Sequence, residues 1–202
     1  MTGKRRSADD KVVRWIVAVL LFGAAVSAQA QQNDARDPLQ TDQLEEHAIL
    51  IGKWHPDPAS LSKGFRQWRN DNGIADNWIE FSWGSDRQWM LFGDWQRKAD
   101  KDRHTGAGVI AYDPAGHRIA FTEHGIRGAM VAGTLERVSP TEIVRDIVVS
   151  RTDTSWRQID RWVWSSESND CFDWTTIHIN AQGRNVSEPN RWCRMDTGSR
   201  KE

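Results

Sequence analysis

Long apolar runs are what this sequence has least of. The longest, "WIVAVLLFGAAV" (Trp15–Val26), is about a dozen residues, short of the roughly 20 that a membrane-spanning helix needs. An excess of one charge is missing too: 27 Lys and Arg oppose 28 Asp and Glu. No basic stripe exists to hold nucleic acid, and no polybasic juxtamembrane run to hold anionic lipid. Catalytic signatures are absent. The histidines His47, His55, His104, His117, His124 and His178 show no H-x-H or HExxH arrangement, and no G-x-S-x-G occurs. Glycines in "GAGV" (Gly106) and "GIRGAM" (Gly125) read as strand and turn glycines without a phosphate-loop context. Glu123 and His124 point to opposite faces of a strand, which argues against a shared metal. A lone inward His178 or His124 reads as a hydrogen-bonded core residue rather than a haem ligand. The balance leans away from an enzyme, with no cofactor and no metal.

What is present starts with the leader. "MTGKRRSADDKVVR" is basic, Trp15–Val26 is a short apolar core, and Ala28-Gln29-Ala30 is a small-x-small cleavage site. That order is a secretory signal peptide over residues 1–30, cleaved after Ala30, for a periplasmic or secreted protein with no membrane anchor after cleavage. The leader carries five of the Lys/Arg and two of the Asp/Glu, leaving 22 basic and 26 acidic residues and a net charge of −4. About 170 residues remain, enough for one domain with a real core. Both cysteines, Cys171 and Cys193, fall in that part, where an oxidising compartment favours a bridge. "IHINAQGRNVS" reads as a hairpin turning near Gln182-Gly183, which sets the two cysteines nearly opposite on neighbouring strands, within disulfide reach.

Residues 31–42 read as a polar linker, residues 43–197 as a single domain and residues 198–202 as a disordered tail. Asp37-Pro38 followed by "TDQLEEHAILIG" reads as a short helix. Pro38 is tolerated in a first turn, Asp42 and Glu45 are placed for a capping box, and Gly52 is the stop. From Gly64 the pattern changes to short alternating runs. Strands are expected near Gly64–Arg69, Asn77–Trp83, Arg87–Arg97, Gly106–Tyr112, His117–His124, Ala129–Val138, Glu142–Arg151, Trp156–Ser165, Cys171–Asn180 and Asn190–Met195. The connections are too short for crossover helices, so the sheet is antiparallel and meandering. The expected fold is all-β: an up-and-down barrel of about 8–10 strands with a short N-terminal helix.

A short helix followed by "LIGKWHPDP", with Gly52-Lys53-Trp54 ahead of the barrel strands, resembles the lipocalin-like (calycin-type) exported barrels. The resemblance spans the topology of roughly Gln43 to Met195. It implies that Trp54 plugs one end of the barrel and that an arginine of the last strand, Arg191 or Arg194, packs across it.

Closure would turn one face of each strand inward. "NWIEFSW" would bury Ile79, Phe81 and Trp83 and expose Trp78 and Glu80. "SWRQIDRWVW" would turn Trp156, Asp160, Trp162 and Trp164 inward and Arg157 and Arg161 outward. With Trp174 from "CFDWTTIHIN", the inside becomes an aromatic wall holding four polar groups: Glu123, Arg145, Asp160 and His178. Such a wall is what a site for a small, partly apolar ligand looks like. It is equally what an inward ion pair looks like, Arg145 with Glu123 or Asp160 and no ligand at all. Twelve tryptophans against one tyrosine leave a second class open, a carbohydrate-binding module stacking sugars on Trp78, Trp89 and Trp95. A third is an exported structural or partner-binding domain. The oligomeric state is not legible.

Overall fold

A computed structural model describes residues 38–125, 128–165 and 169–195. The expected leader (1–30) and tail (198–202) lie outside the described residues. Helix α1 (Pro38–Glu45) opens inside the stretch read as linker, with Pro38 in its first turn, so Asp42 sits within the helix rather than at its cap. A 3₁₀ turn follows at Ala48–Leu50. Leu44 and Leu50 are fully buried.

Two elements differ from expectation. Gly52 does not merely end a helix but opens a strand, β1 (Gly52–Pro56), which pairs with β2 on one side and with the final strand on the other. The segment Gly64–Arg69, read as a strand, lies in helix α2 (Lys63–Asp71). Local chemistry explains the helix. The Ser62 hydroxyl accepts from the Phe65 N–H at its N-terminus, and Gly73 ends it at φ +61°. Phe65 and Trp68, three apart, share one face, and Phe65 meets Trp192 edge-on at 6.3 Å.

The remaining strands are β2 (Asp76–Trp83), β3 (Trp89–Lys98), β4 (Lys101–Asp113), β5 (Arg118–Gly125), β6 (Met130–Ser139), β7 (Glu142–Ser150), β8 (Ser155–Trp164), β9 (Cys171–Asn180), β10 (Gly183–Val186) and β11 (Asn190–Arg194). Every pairing is antiparallel. β1 to β9 pair in order, β9 pairs with β11, and β11 returns to β1, which closes a ten-strand up-and-down barrel. β10 and β11 lie end to end along the same edge of β9, separated by Ser187-Glu188-Pro189. Pro189 has no N–H for the ladder. The Ser187 hydroxyl takes over instead and accepts from the Thr176 N–H at 2.9 Å.

Cys171 and Cys193 are register partners on β9 and β11, Cα atoms 4.1 Å apart, and form a disulfide. The bond ties the last barrel strand to its neighbour across 22 residues of chain. Converting both cysteines to serine is expected to lower stability by about 3 kcal/mol, the loop-closure value for a link of this span. Chemical denaturation of the double variant checks it, with far-UV circular dichroism unchanged.

Inside, registered pairs such as Phe81–Phe92, Ile110–Phe121 and Trp162–Trp174 stack the core in layers. Met90 and Phe92 point in and Leu91 points out, 44% exposed. Outside, Arg157 pairs with Asp146 and Arg161 with Glu142, exposed contacts that add little individually. Among the described residues no helix is long and apolar enough to cross a membrane.

Candidate functional site

The two ends of the barrel are covered differently. At one end, α1 and the 3₁₀ turn pack over Trp54. The ring is fully buried, and its N–H donates to the Leu50 carbonyl at 2.7 Å. Arg194 lies over the ring at 4.3 Å and hydrogen-bonds the carbonyls of Ile49 and Ile51. The arginine of the plug is therefore Arg194. Arg191, three residues earlier on β11, faces outward and pairs with Asp173. Gly52 makes the arrangement feasible: a Cβ there would lie 2.5 Å from the Arg194 Nη1.

At the barrel's middle stands a buried ion pair. Arg145 on β7 and Asp160 on β8 are register partners, 4% and 0% exposed. The guanidinium donates twice to Asp160 Oδ2, at 2.9 and 2.7 Å. Asp160 also accepts from Gln158 Nε2, from the Trp174 indole N–H at 3.0 Å and from the Thr176 hydroxyl at 2.7 Å. Rings of Phe92, Phe121, Trp162 and Trp174 surround the guanidinium, with centroids 4.7 to 5.9 Å away. Asp160 is saturated, as a buried carboxylate requires.

Above this pair, beneath α2, lies a cavity of about 220 Å³ walled by Phe65, Trp68, Asn77, Ile79, Phe92, Asp94, Glu123, Arg145, Trp174 and Trp192. Its polar groups are less well supplied than Asp160. Glu123 reaches Arg145 Nη1 only at 3.7 Å. Arg145 Nη1 and Asn77 Oδ1 are buried without a hydrogen-bond partner. Burial pushes the Glu123 carboxyl above its ordinary range, against the pull of Arg145. Burial, and then the charge of Glu123, push Asp94 up to about 7. Gly106 leaves the space into which the Glu123 carboxyl folds. A wider groove of about 750 Å³ continues outward between α2, β9 and the β10–β11 break, lined in part by Trp68, Trp174, His178, Ser187 and Trp192.

The sequence-derived candidates thus separate by depth. Glu123, Arg145 and Trp174 line the inner cavity, and Trp174 and His178 the groove. Asp160 and Trp162 lie below, holding and caging Arg145. Trp164 belongs to the plug, packed on Trp54 and Phe172. Asp94, Asn77, Phe65, Trp68 and Trp192 were not singled out. Asn77 shares its face with Ile79, so period two carries a signal for it, whereas Asp94 shares one with Phe92 on a strand whose two faces are both apolar. No protein-family model matches the chain, and no curated protein matches it.

Trp78, expected to be exposed, is 3% exposed. It lies in an outer-face stack, His55–Trp78–Trp95–His104, that crosses β1 to β4 at centroid spacings of 5.5, 5.9 and 4.3 Å. Both faces of Trp78 and of Trp95 are occupied, which leaves neither free to stack on a sugar ring.

The raised Asp94 carboxyl has a consequence for stability. Its folded value of about 7 exceeds the ordinary 3.8, so the folded state holds a proton that the unfolded state loses across that window. Stability from this group is fully present near pH 4 and falls as pH rises to about 7. Asp94→Asn, which mimics the protonated form, is expected to stabilise by about 1–3 kcal/mol at pH 8 and by nearly nothing at pH 4. Thermal denaturation of both proteins at the two pH values measures this. A gain of equal size at both would contradict the assignment.

Proposed function

We propose that the protein is an exported, lipocalin-like barrel that binds a small, partly apolar molecule beneath α2, with the β9–α2 groove as its way in. The observation that carries this reading is the pair of buried, unpartnered polar atoms, Arg145 Nη1 and Asn77 Oδ1, on the wall of an aromatic cavity. Unpaired buried donors and acceptors cost roughly 1–3 kcal/mol each, and a bound molecule that pairs with either one recovers its share of that cost. The lid favours exchange. No residue of α2 is buried, so the helix can lift at little cost in apolar burial.

Export rests on the order of basic leader, apolar core and Ala28-Gln29-Ala30, and the Cys171–Cys193 bridge suits an oxidising compartment. Mass spectrometry of the protein recovered from the periplasm or medium is expected to find Gln31 at the N-terminus.

Binding is tested by tryptophan emission, since Trp68, Trp174 and Trp192 wall the cavity. Titration with small aromatic amines, alcohols and acids is expected to shift or quench the emission, with a smaller response in Trp174→Phe. A full panel without change in emission or in thermal midpoint would remove the reading.

A further inference from the structure

The charges around the cavity do not balance. Arg145 is matched by Asp160 through two short hydrogen bonds, so its positive charge is already answered from below. Glu123, at 3.7 Å from the same guanidinium, and Asp94 then share the cavity wall as two further carboxyls. Among the described residues on that wall, Asn77 is 4% exposed and offers a carbonyl oxygen with no donor. The same wall includes Phe65, Trp68, Trp174 and Trp192, and aromatic ring faces carry partial negative charge. Carboxyls, amide oxygen and ring faces all call for a positive donor. A carboxylate ligand would gain Arg145 Nη1 but would lie against Asp94 and Glu123.

We infer that the cavity takes an organic ammonium ion, a primary or secondary amine on a small apolar body. The ammonium sits among Asp94, Glu123 and Asn77 Oδ1, and the body lies against Trp68, Trp174 and Trp192. This rests on the binding function proposed above and adds the charge and class of the ligand. Size agrees: a cavity of 220 Å³ equals the liquid volume of about seven waters, room for a single substituted ring. The elevation of Asp94, caused by burial and by Glu123, agrees as well, because a cation placed beside the carboxyl would draw it back down.

Three matched probes separate the possibilities: 2-phenylethylammonium, 2-phenylethanol and phenylacetate, titrated calorimetrically into the mature protein at pH 8. The ammonium is expected to bind at least about tenfold tighter than the alcohol, and phenylacetate more weakly than either. Affinity for the ammonium should rise between pH 5.5 and 8 as Asp94 loses its proton, while affinity for the alcohol stays level. The charged groups facing that site are Asp94 on β3, Glu123 on β5, and Arg145 with Asp160 on β7 and β8; α2 contributes Phe65 and Trp68 to the wall. Asp94→Asn and Glu123→Gln should each weaken the ammonium about tenfold and the alcohol by much less. The alcohol's affinity also reports that the variants are folded. Equal or tighter binding of the alcohol or of phenylacetate overturns the ammonium assignment and leaves the binding function standing. Failure of all three probes overturns both.

Discussion

Replacing Asp160 with alanine is expected to cost about 3–5 kcal/mol, the loss found when one partner of a buried ion pair is removed. The reason is what stays behind. Arg145 remains 4% exposed with its charge unanswered, because Glu123, the next carboxylate, is 3.7 Å from Nη1. Three neutral donors lose their acceptor as well: Gln158 Nε2, the Trp174 indole and the Thr176 hydroxyl. The cation–π contacts with Phe92, Phe121, Trp162 and Trp174 soften the penalty without cancelling it. Removing both charges together, as Arg145→Met with Asp160→Leu, is expected to recover most of the loss. Equilibrium urea denaturation of Arg145→Met, Asp160→Leu and the double variant gives the coupling energy. A loss below about 1 kcal/mol for Asp160→Ala would mean that the guanidinium is solvated and that the pair is not the centre of the barrel.

That pair was legible in the sequence, and the reason is geometric. Asp160 lies two residues from Trp162 and four from Trp164 in an alternating strand, so burial of the tryptophans carries the aspartate inward. The bridge was legible for a related reason: a hairpin turn fixes the register of the strands it joins. Local alternation also exposed the meander from β2 to β9, because each strand pairs with its sequence neighbour. Legibility stopped where distant contacts decide. β1 is five residues long, and its partners include Arg194, far along the chain. α2 offers only two apolar residues, Phe65 and Trp68, too few for a periodicity to show, and its seat against Trp192 is a tertiary fact. β3 was ambiguous because both of its faces are apolar. Met90 and Phe92 fill the core, while Trp95 joins the outer stack with Trp78. With neither face plainly polar, parity could not place Asp94, and the carboxyl most displaced from its ordinary range stayed hidden.

The second large effect is expected at the opposite end of the barrel, where Trp54→Ala should cost about 3–5 kcal/mol. Trp54 is fully buried and joins three separate parts of the chain. Its ring meets Phe172 at 4.9 Å and Trp164 at 6.3 Å, both edge-on. Its N–H holds the Leu50 carbonyl, and thereby the 3₁₀ turn. Its face carries Arg194, which itself holds the carbonyls of Ile49 and Ile51. Loss of the ring opens a cavity at the centre of this network and frees Arg194 from its support. Arg194→Lys should cost less, about 1–2 kcal/mol, because one ammonium cannot reproduce the planar fork that bonds two carbonyls and covers the ring. The two losses should not add, since both substitutions break the same stack. Guanidinium denaturation of Trp54→Ala, Arg194→Lys and the double variant tests this. Strict additivity would show that Trp54 and Arg194 act independently, and the plug would then be two neighbouring residues rather than one structural unit. The ligand titrations supply the contrast. The plug lies at the α1 end and the cavity at the α2 end, so Arg194→Lys should lower the denaturation midpoint and leave 2-phenylethylammonium affinity unchanged. Asp94→Asn should do the reverse at pH 8, raising the midpoint and weakening the ammonium.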